Sequence, residues 1–222
     1  MFEYCSMNST TTVRSLQQRI TEMQPLRLDD RALPTAPGLR SLLPGGALRK
    51  GASYSVRGSQ QLALSLLAEA SASGAWCGVI GCPTFGAESA TALGIALDRC
   101  ILIPEPGSDA LGLSGALSEI LTVVLLVPSE RPRSGEVERI SARLREHGTA
   151  LVIAGEWPHP ESALHVTASK WEGLGTGYGF LDEREIAVQS QDRRGTLRHT
   201  VRFAGGSVVD PAAARVHRLV PR

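Results

Sequence analysis

The chain has 222 residues, enough for one domain of about 150 to 200 residues with short additions at its ends and cramped for two. With 42% hydrophobic and 20% charged residues its composition excludes an acidic disordered tail, and no apolar run is long enough for a membrane span. The net charge is +1, from 23 basic and 22 acidic residues, so bulk electrostatics does not announce nucleic acid and only a local patch would carry such a role. Residues 1–11 read as a disordered polar end without the basic and apolar regions of a secretory signal. Val13 to Gln24 places Leu16, Ile20 and Met23 at spacings of four and three, the pattern of a short amphipathic helix that Pro25 ends. From Leu26 to Gly46 the prolines and glycines are dense, so 12–46 is expected to be a helix followed by a turn-rich linker.

The body is expected over 47–210, with 211–222 as a basic tail. Short apolar runs at Ala52 to Val56, Trp76 to Ile80, Cys100 to Ile103, Thr122 to Val127 and Ala150 to Ala154 are predicted strands. Between them, Gln60 to Ser73, Ala87 to Leu97, Ser108 to Ile120 and Gly135 to His147 have helical patterning; the last shows Val137, Ile140 and Leu144 on one face. Strand and helix alternating in this way predict right-handed crossovers and an α/β fold with a mainly parallel central sheet. After Pro158 the predicted strands Leu164 to Ala168, Glu185 to Gln189 and Arg198 to Phe203 are joined by polar or Gly-rich turns and read as antiparallel additions at the sheet edge. The run Gly173 to Gly179 precedes no amphipathic helix, so it reads as a hairpin connection and not as a dinucleotide fingerprint.

The first strand runs through Arg57, Gly58, Ser59 and Gln60 into a helix, which invites a test for a phosphate-binding loop. Such a loop needs GxxxxGK[ST]: backbone N–H groups cradle the phosphates, lysine reaches the terminal ones and the hydroxyl holds Mg²⁺. Here Ser59 and Gln60 follow Gly58, and the only two lysines, Lys50 and Lys170, lie elsewhere among 21 arginines. The rigid fork of Arg57 is a poor replacement for the point charge of lysine. Pro128 follows the fourth strand where a magnesium-holding Asp is expected, and Gly81 to Phe85 carries no acid to orient water. Cys5, Cys77, Cys82 and Cys100 have no CxxC spacing, so no metal, disulfide framework or cofactor is expected and the chain reads as cytoplasmic.

From Leu42-Leu43-Pro44-Gly45-Gly46 through the helix Gly58 to Gly74 and the later strands, the sequence resembles the ATPase core of the RecA recombinase family. The resemblance places that family's phosphate-loop Lys and Thr on Ser59 and Gln60, its magnesium Asp near Pro128, its catalytic Glu within Gly81 to Phe85 and its catalytic Gln near Glu156-Trp157. All four signatures are lost. A closer resemblance, over about residues 40 to 205, is to the ImuA-type group in its actinobacterial ImuA-prime form, carried by Thr167-Ala168-Ser169-Lys170-Trp171-Glu172-Gly173-Leu174-Gly175. It implies a degenerate RecA-like core without enzymatic activity. The group's members act in damage-induced translesion synthesis with ImuB, an inactive Y-family polymerase homologue, and an error-prone replicative-type polymerase. A nucleotide-binding switch without hydrolysis, or a regulator that binds RecA or a division protein, are the alternatives.

The resemblance also suggests docking by the N-terminal helix, through Leu16, Ile20 and Met23, on a partner rather than on its own core. Trp171 and Tyr178 either cover the edge of the core, the commoner role for such side chains, or stack on bases. Arg184 to Arg222 holds eight arginines against Glu185, Asp192 and Asp210, and Arg193, Arg194, Arg198 and Arg202 within it are the expected phosphate contacts. An acidic protein partner fits that charge asymmetry equally well.

Overall fold

The computed structural model describes residues 31–173, 181 and 183–210. The chain divides after Asp30, and every described element lies in the unit from Arg31 onward. Strands β1 (Ser53–Arg57), β2 (Cys77–Ile80), β3 (Cys100–Ile103), β4 (Val123–Leu126) and β5 (Ala150–Ile153) alternate with helices α1 (Gln60–Ala72), α2 (Ala87–Leu93), α3 (Ala110–Leu117) and α4 (Ser134–His147). Then come β6 (Ser162–Glu172), β7 (Glu183–Asp192), β8 (Gly195–Ala204) and β9 (Ser207–Val208). All nine form one sheet in the order β3-β2-β4-β5-β1-β6-β7-β8-β9. Its members are parallel as far as the β1–β6 pair and antiparallel from β6 to β9.

Two apolar layers sandwich the parallel part. On one face α1 buries Leu62, Leu66 and Leu67 against Tyr54, Val79, Leu125 and Val152; on the other, Val137, Ile140 and Leu144 of α4 meet Leu126, Leu151 and Ile153. Each fully buried Leu or Ile contributes about 1.5 to 3 kcal/mol before entropy is counted, so these layers dominate the stability of the sheet. The β4 and β5 strands are buried at every position, which is why their sequences are apolar without alternation. Helix α2 stops at Leu93, four residues short of the predicted end, because Gly94 takes a left-handed conformation (φ 102°) and caps it.

The segment from residue 31 to 49, which includes the later part of the predicted linker (to Gly46), packs into the body. Two short 3₁₀ turns, Pro37–Leu42 and Pro44–Gly46, turn Leu39, Leu42, Leu43 and Leu48 fully inward. The Thr35 hydroxyl donates to Leu33 O (3.0 Å) and accepts from Leu48 N–H (3.2 Å), and the Arg49 N–H donates to Tyr54 Oη at 2.8 Å. Proline and glycine here set tight turns rather than a tether. The helix expected around Leu16, Ile20 and Met23 lies outside the described residues, as does the tail 211–222.

The antiparallel strands are about twice as long as predicted. β6 leaves the level of β1 after His165, its last partner there being Arg57, and continues to Glu172, paired with β7 through a bulge between Val166 and Ala168. The β6–β7 hairpin therefore projects past the end of β1, over the start of α1. Strands β6 and β7 pair antiparallel, and all of the run Gly173 to Gly179 but its first residue lies outside the described residues. At the other end Asp192 pairs with Gly195, leaving a two-residue turn of Arg193 and Arg194.

Candidate functional site

Strand β1 ends at Arg57 and α1 begins at Gln60, so only Gly58 and Ser59 connect them. Gly58 has φ +84°, and a Cβ there would lie 3.1 Å from Val166 O of β6, so no other residue fits without strain. Ser59 spends its hydroxyl on its own helix, accepting from Leu62 N–H at 3.2 Å as the N-cap. A phosphate loop needs several consecutive residues to aim their N–H groups at one point; two residues do not reach round a phosphate. The side chain of Gln60 donates to Cys82 Sγ, in the loop where the catalytic acid of the RecA family would fall. Burial pushes the Cys82 thiol up from its ordinary range, keeping it a neutral partner.

The neighbouring strand ends are packed on one another. Gly81 has φ +75°, and a Cβ there would stand 2.3 Å from Val127 O; a Cβ on Gly155 would stand 3.2 Å from the Pro128 ring. What remains is a cleft of about 400 Å³ lined by Val56, Gly58, Gln60, Val127, Ala154 and Glu156 among others. At its mouth the Glu156 carboxylate accepts from Arg57 (3.2 Å) and from Arg131 (2.8 Å), a pair of exposed ion pairs that hold two cations on one acid.

Arg184, which the sequence offered only as one charge among many, links the hairpin to α1. Its Nη1 donates to Gln61 Oε1 at 2.9 Å and lies 3.5 Å from Ser59 Oγ. Its Nε donates to Ser169 Oγ at 3.0 Å, and its guanidinium lies 5.1 Å from the centroid of the Trp171 ring, within cation–π range. Burial lowers its pKa. Only the Trp171↔Arg184 register brings these groups together, and a sequence does not show that register.

The predicted nucleic-acid contacts are dispersed. Arg194 clasps Asp192, the closest contact being 2.6 Å, and holds that carboxyl below its ordinary range. Arg193 lies 3.8 Å from Glu161, and Arg202 bonds Glu185 at 2.7 Å. Arg198 is exposed and has no ion pair among the described residues. Trp171, half exposed, shares a register row with Arg184 and Phe203, whereas Arg202 stands in the adjacent row and points to the opposite face. Tyr178 lies outside the described residues. Among the described residues no cluster of three or more His, Cys, Asp or Glu suits a metal ion, and no helix is long and apolar enough to cross a membrane.

A model of the MT3502 N-terminal domain matches residues 41–159, more than half of the chain. The chain belongs to the MT3502 N-terminal domain family. The matched span runs from the first 3₁₀ turn through β5, so β6 to β9 lie beyond it. The uncharacterized protein Rv3395c of Mycobacterium tuberculosis (strain ATCC 25618 / H37Rv) is 31% identical over 135 residues, 59% of this chain and 66% of that protein; the chain thus aligns with just under two thirds of this relative. The crystal structure of the RadB recombinase superposes with a TM-score of 0.54 at 15% identity, covering 77% of this chain and 95% of that one. At that identity the likeness concerns the fold, which is RecA-like with antiparallel strands at the C-terminal edge.

Proposed function

We propose that the protein is a noncatalytic RecA-like adaptor in DNA-damage-induced translesion synthesis and mutagenesis, working in the cytoplasm with an ImuB-type polymerase homologue. An error-prone replicative-type polymerase, a RecA filament and DNA are its further partners. The observation that carries the reading is the two-residue connection between β1 and α1, whose Ser59 hydroxyl is already bonded to Leu62 N–H. A RecA-like sheet kept without a phosphate cradle is kept for its surfaces. The resemblance carried by the string Thr167 to Gly175, whose first six residues lie on β6, supports the partner class.

The test is copurification of the full chain with the ImuB-type homologue encoded in the same genome, beside a titration with ATP and Mg²⁺. A stable complex without nucleotide binding supports the adaptor; no complex at micromolar concentrations overturns it. The cleft of about 400 Å³ beside Arg57 favours one second reading, a nucleotide-responsive switch without hydrolysis, which saturable ATP binding would select.

A further inference from the structure

The face of the sheet that α4 covers at β4 and β5 continues across β1, β6, β7 and β8, and among the described residues no apolar layer covers it there. Its central register row is Arg57↔His165↔Gln189↔Arg198. Beside it run Ser55↔Ala163↔Gln191↔Thr196 and, beyond the bulge, Ala168↔Ala187↔Thr200. These three rows contain no carboxylate, no Phe, Tyr or Trp and no large aliphatic side chain. Beyond the bulge, acids enter in the next row, where Glu185 is already paired with Arg202. Strands lie about 4.8 Å apart, so the guanidiniums of Arg57 and Arg198 bracket a track about 14 Å long. It opens at one end into a cleft of about 910 Å³ lined by Arg57, Arg131, Gln191 and Arg193 among others. The cleft's acids are each held by arginine: Glu156 by Arg57 and Arg131, Glu161 by Arg193, Asp192 by Arg194.

We propose that this open sheet face and its cleft bind the sugar–phosphate backbone of single-stranded nucleic acid, with Arg57, His165, Gln189 and Arg198 as the contacts. Arginine, threonine and glutamine are the side chains that meet phosphate and sugar. A docking face for protein would have a desolvated aromatic or aliphatic centre, and the three sheet rows have none; apolar side chains enter only at the cleft, with Trp157, Pro132, Pro158 and Pro160. A concave cleft beside a flat face accepts a flexible strand, whereas a duplex groove calls for a projecting helix or ribbon. Binding is therefore led by charge and indifferent to sequence, and Glu156 is an internal competitor that phosphate must displace from Arg57 and Arg131. The inference rests on the adaptor reading for its setting and names the surface through which that adaptor meets DNA.

Fluorescence anisotropy of the full chain with oligo(dT), at a series of salt concentrations, tests it. Arg57→Ala with Arg198→Ala should weaken binding about tenfold or more at low salt and reduce the log–log salt slope by about 1.4, two contacts at about 0.7 each. Glu156→Gln should act in the opposite direction, tightening binding and steepening the slope, which a misfolded variant would not do. Absence of binding by the wild type, or indifference to both changes, overturns the proposal. Equal affinity for duplex DNA overturns the single-strand assignment, and preference for poly-glutamate over oligo(dT) makes the face a site for acidic protein instead. If the Arg57/Arg198 variant still copurifies with the ImuB-type homologue, a failure on oligo(dT) leaves the adaptor reading standing; loss of the complex alone leaves the nucleic-acid face standing.

Discussion

Replacing Ser59 by Lys and Gln60 by Thr would restore the two side chains that a phosphate loop requires, and the structure says this should fail. The Ser59 hydroxyl caps α1 at 3.2 Å from Leu62 N–H, and losing such a cap costs about 1 kcal/mol. A lysine there adds a cation at the positive end of the helix dipole, about 0.3 to 1 kcal/mol more, and beside the guanidinium of Arg184. The double variant should thus be destabilised by about 1.5 to 2 kcal/mol, a fall in Tm of about 3 to 8 °C for a chain of this size. Thermal melts followed by titration with a fluorescent ATP analogue and Mg²⁺, and by an assay for released phosphate, are the measurements. The variant should remain folded, bind no nucleotide and release no phosphate, because the connection is two residues long whatever they are. Saturable Mg·ATP binding by the variant would falsify that argument, since it would mean that Gly58 and its neighbour suffice to cradle phosphate.

Changing Leu16 and Ile20 together to Asp should abolish copurification with the ImuB-type homologue while leaving the melting temperature of the isolated chain unchanged; a lower Tm would show that these side chains stabilise their own core. Tyr54 is fully buried, and burial pushes its hydroxyl from 10.0 up to about 12, so the phenol's contribution is complete below pH 10 and is lost as pH rises from 10 to 12, by about 3 kcal/mol. Tyr54→Phe strands the Arg49 N–H and should cost about 1 to 3 kcal/mol at pH 7, but its deficit against the wild type in urea melts should shrink above pH 10; a constant deficit would place the titration elsewhere. Gly81→Ala forces a left-handed backbone on alanine and a Cβ against Val127 O, so it should destabilise the chain by at least about 2 kcal/mol, whereas a neutral melt would mean that the strand ends are loosely packed.

The parallel half of the sheet was readable because burial on both faces leaves an unmistakable trace: runs such as Val123 to Leu126 and Ala150 to Ile153 admit nothing polar. The antiparallel half left a fainter one. β6 is exposed over most of its length beyond Leu164, and its bulge shifts the pattern by one residue, so only its centre reads as strand. The segment containing Pro34, Pro37 and Pro44 misled for another reason: its prolines and glycines signal turns correctly, but five inward leucines from Leu33 to Leu48 follow neither a helical nor a strand period. At the candidate site, the missing Lys, Asp and Glu were visible residue by residue. The clasp of Arg184 on Gln61, the bond of Gln60 to Cys82 and the bridge of Glu156 between Arg57 and Arg131 depend on strand register and loop closure, which no local pattern encodes.

The β1–α1 connection differs from a phosphate loop in length and not only in side chains. Substitutions can be reversed one codon at a time, and each intermediate need only remain folded. A missing stretch of backbone has no such route back: residues would have to be inserted between Arg57 and Gln60 while Gly58 lies against Val166 and the hairpin above is fastened to the same helix by Arg184. Each inserted residue would push the strand-to-helix turn into that hairpin before any phosphate could be held. The shortened connection therefore acts as an evolutionary ratchet, and under the adaptor reading it leaves the surfaces around it to diversify under selection for binding.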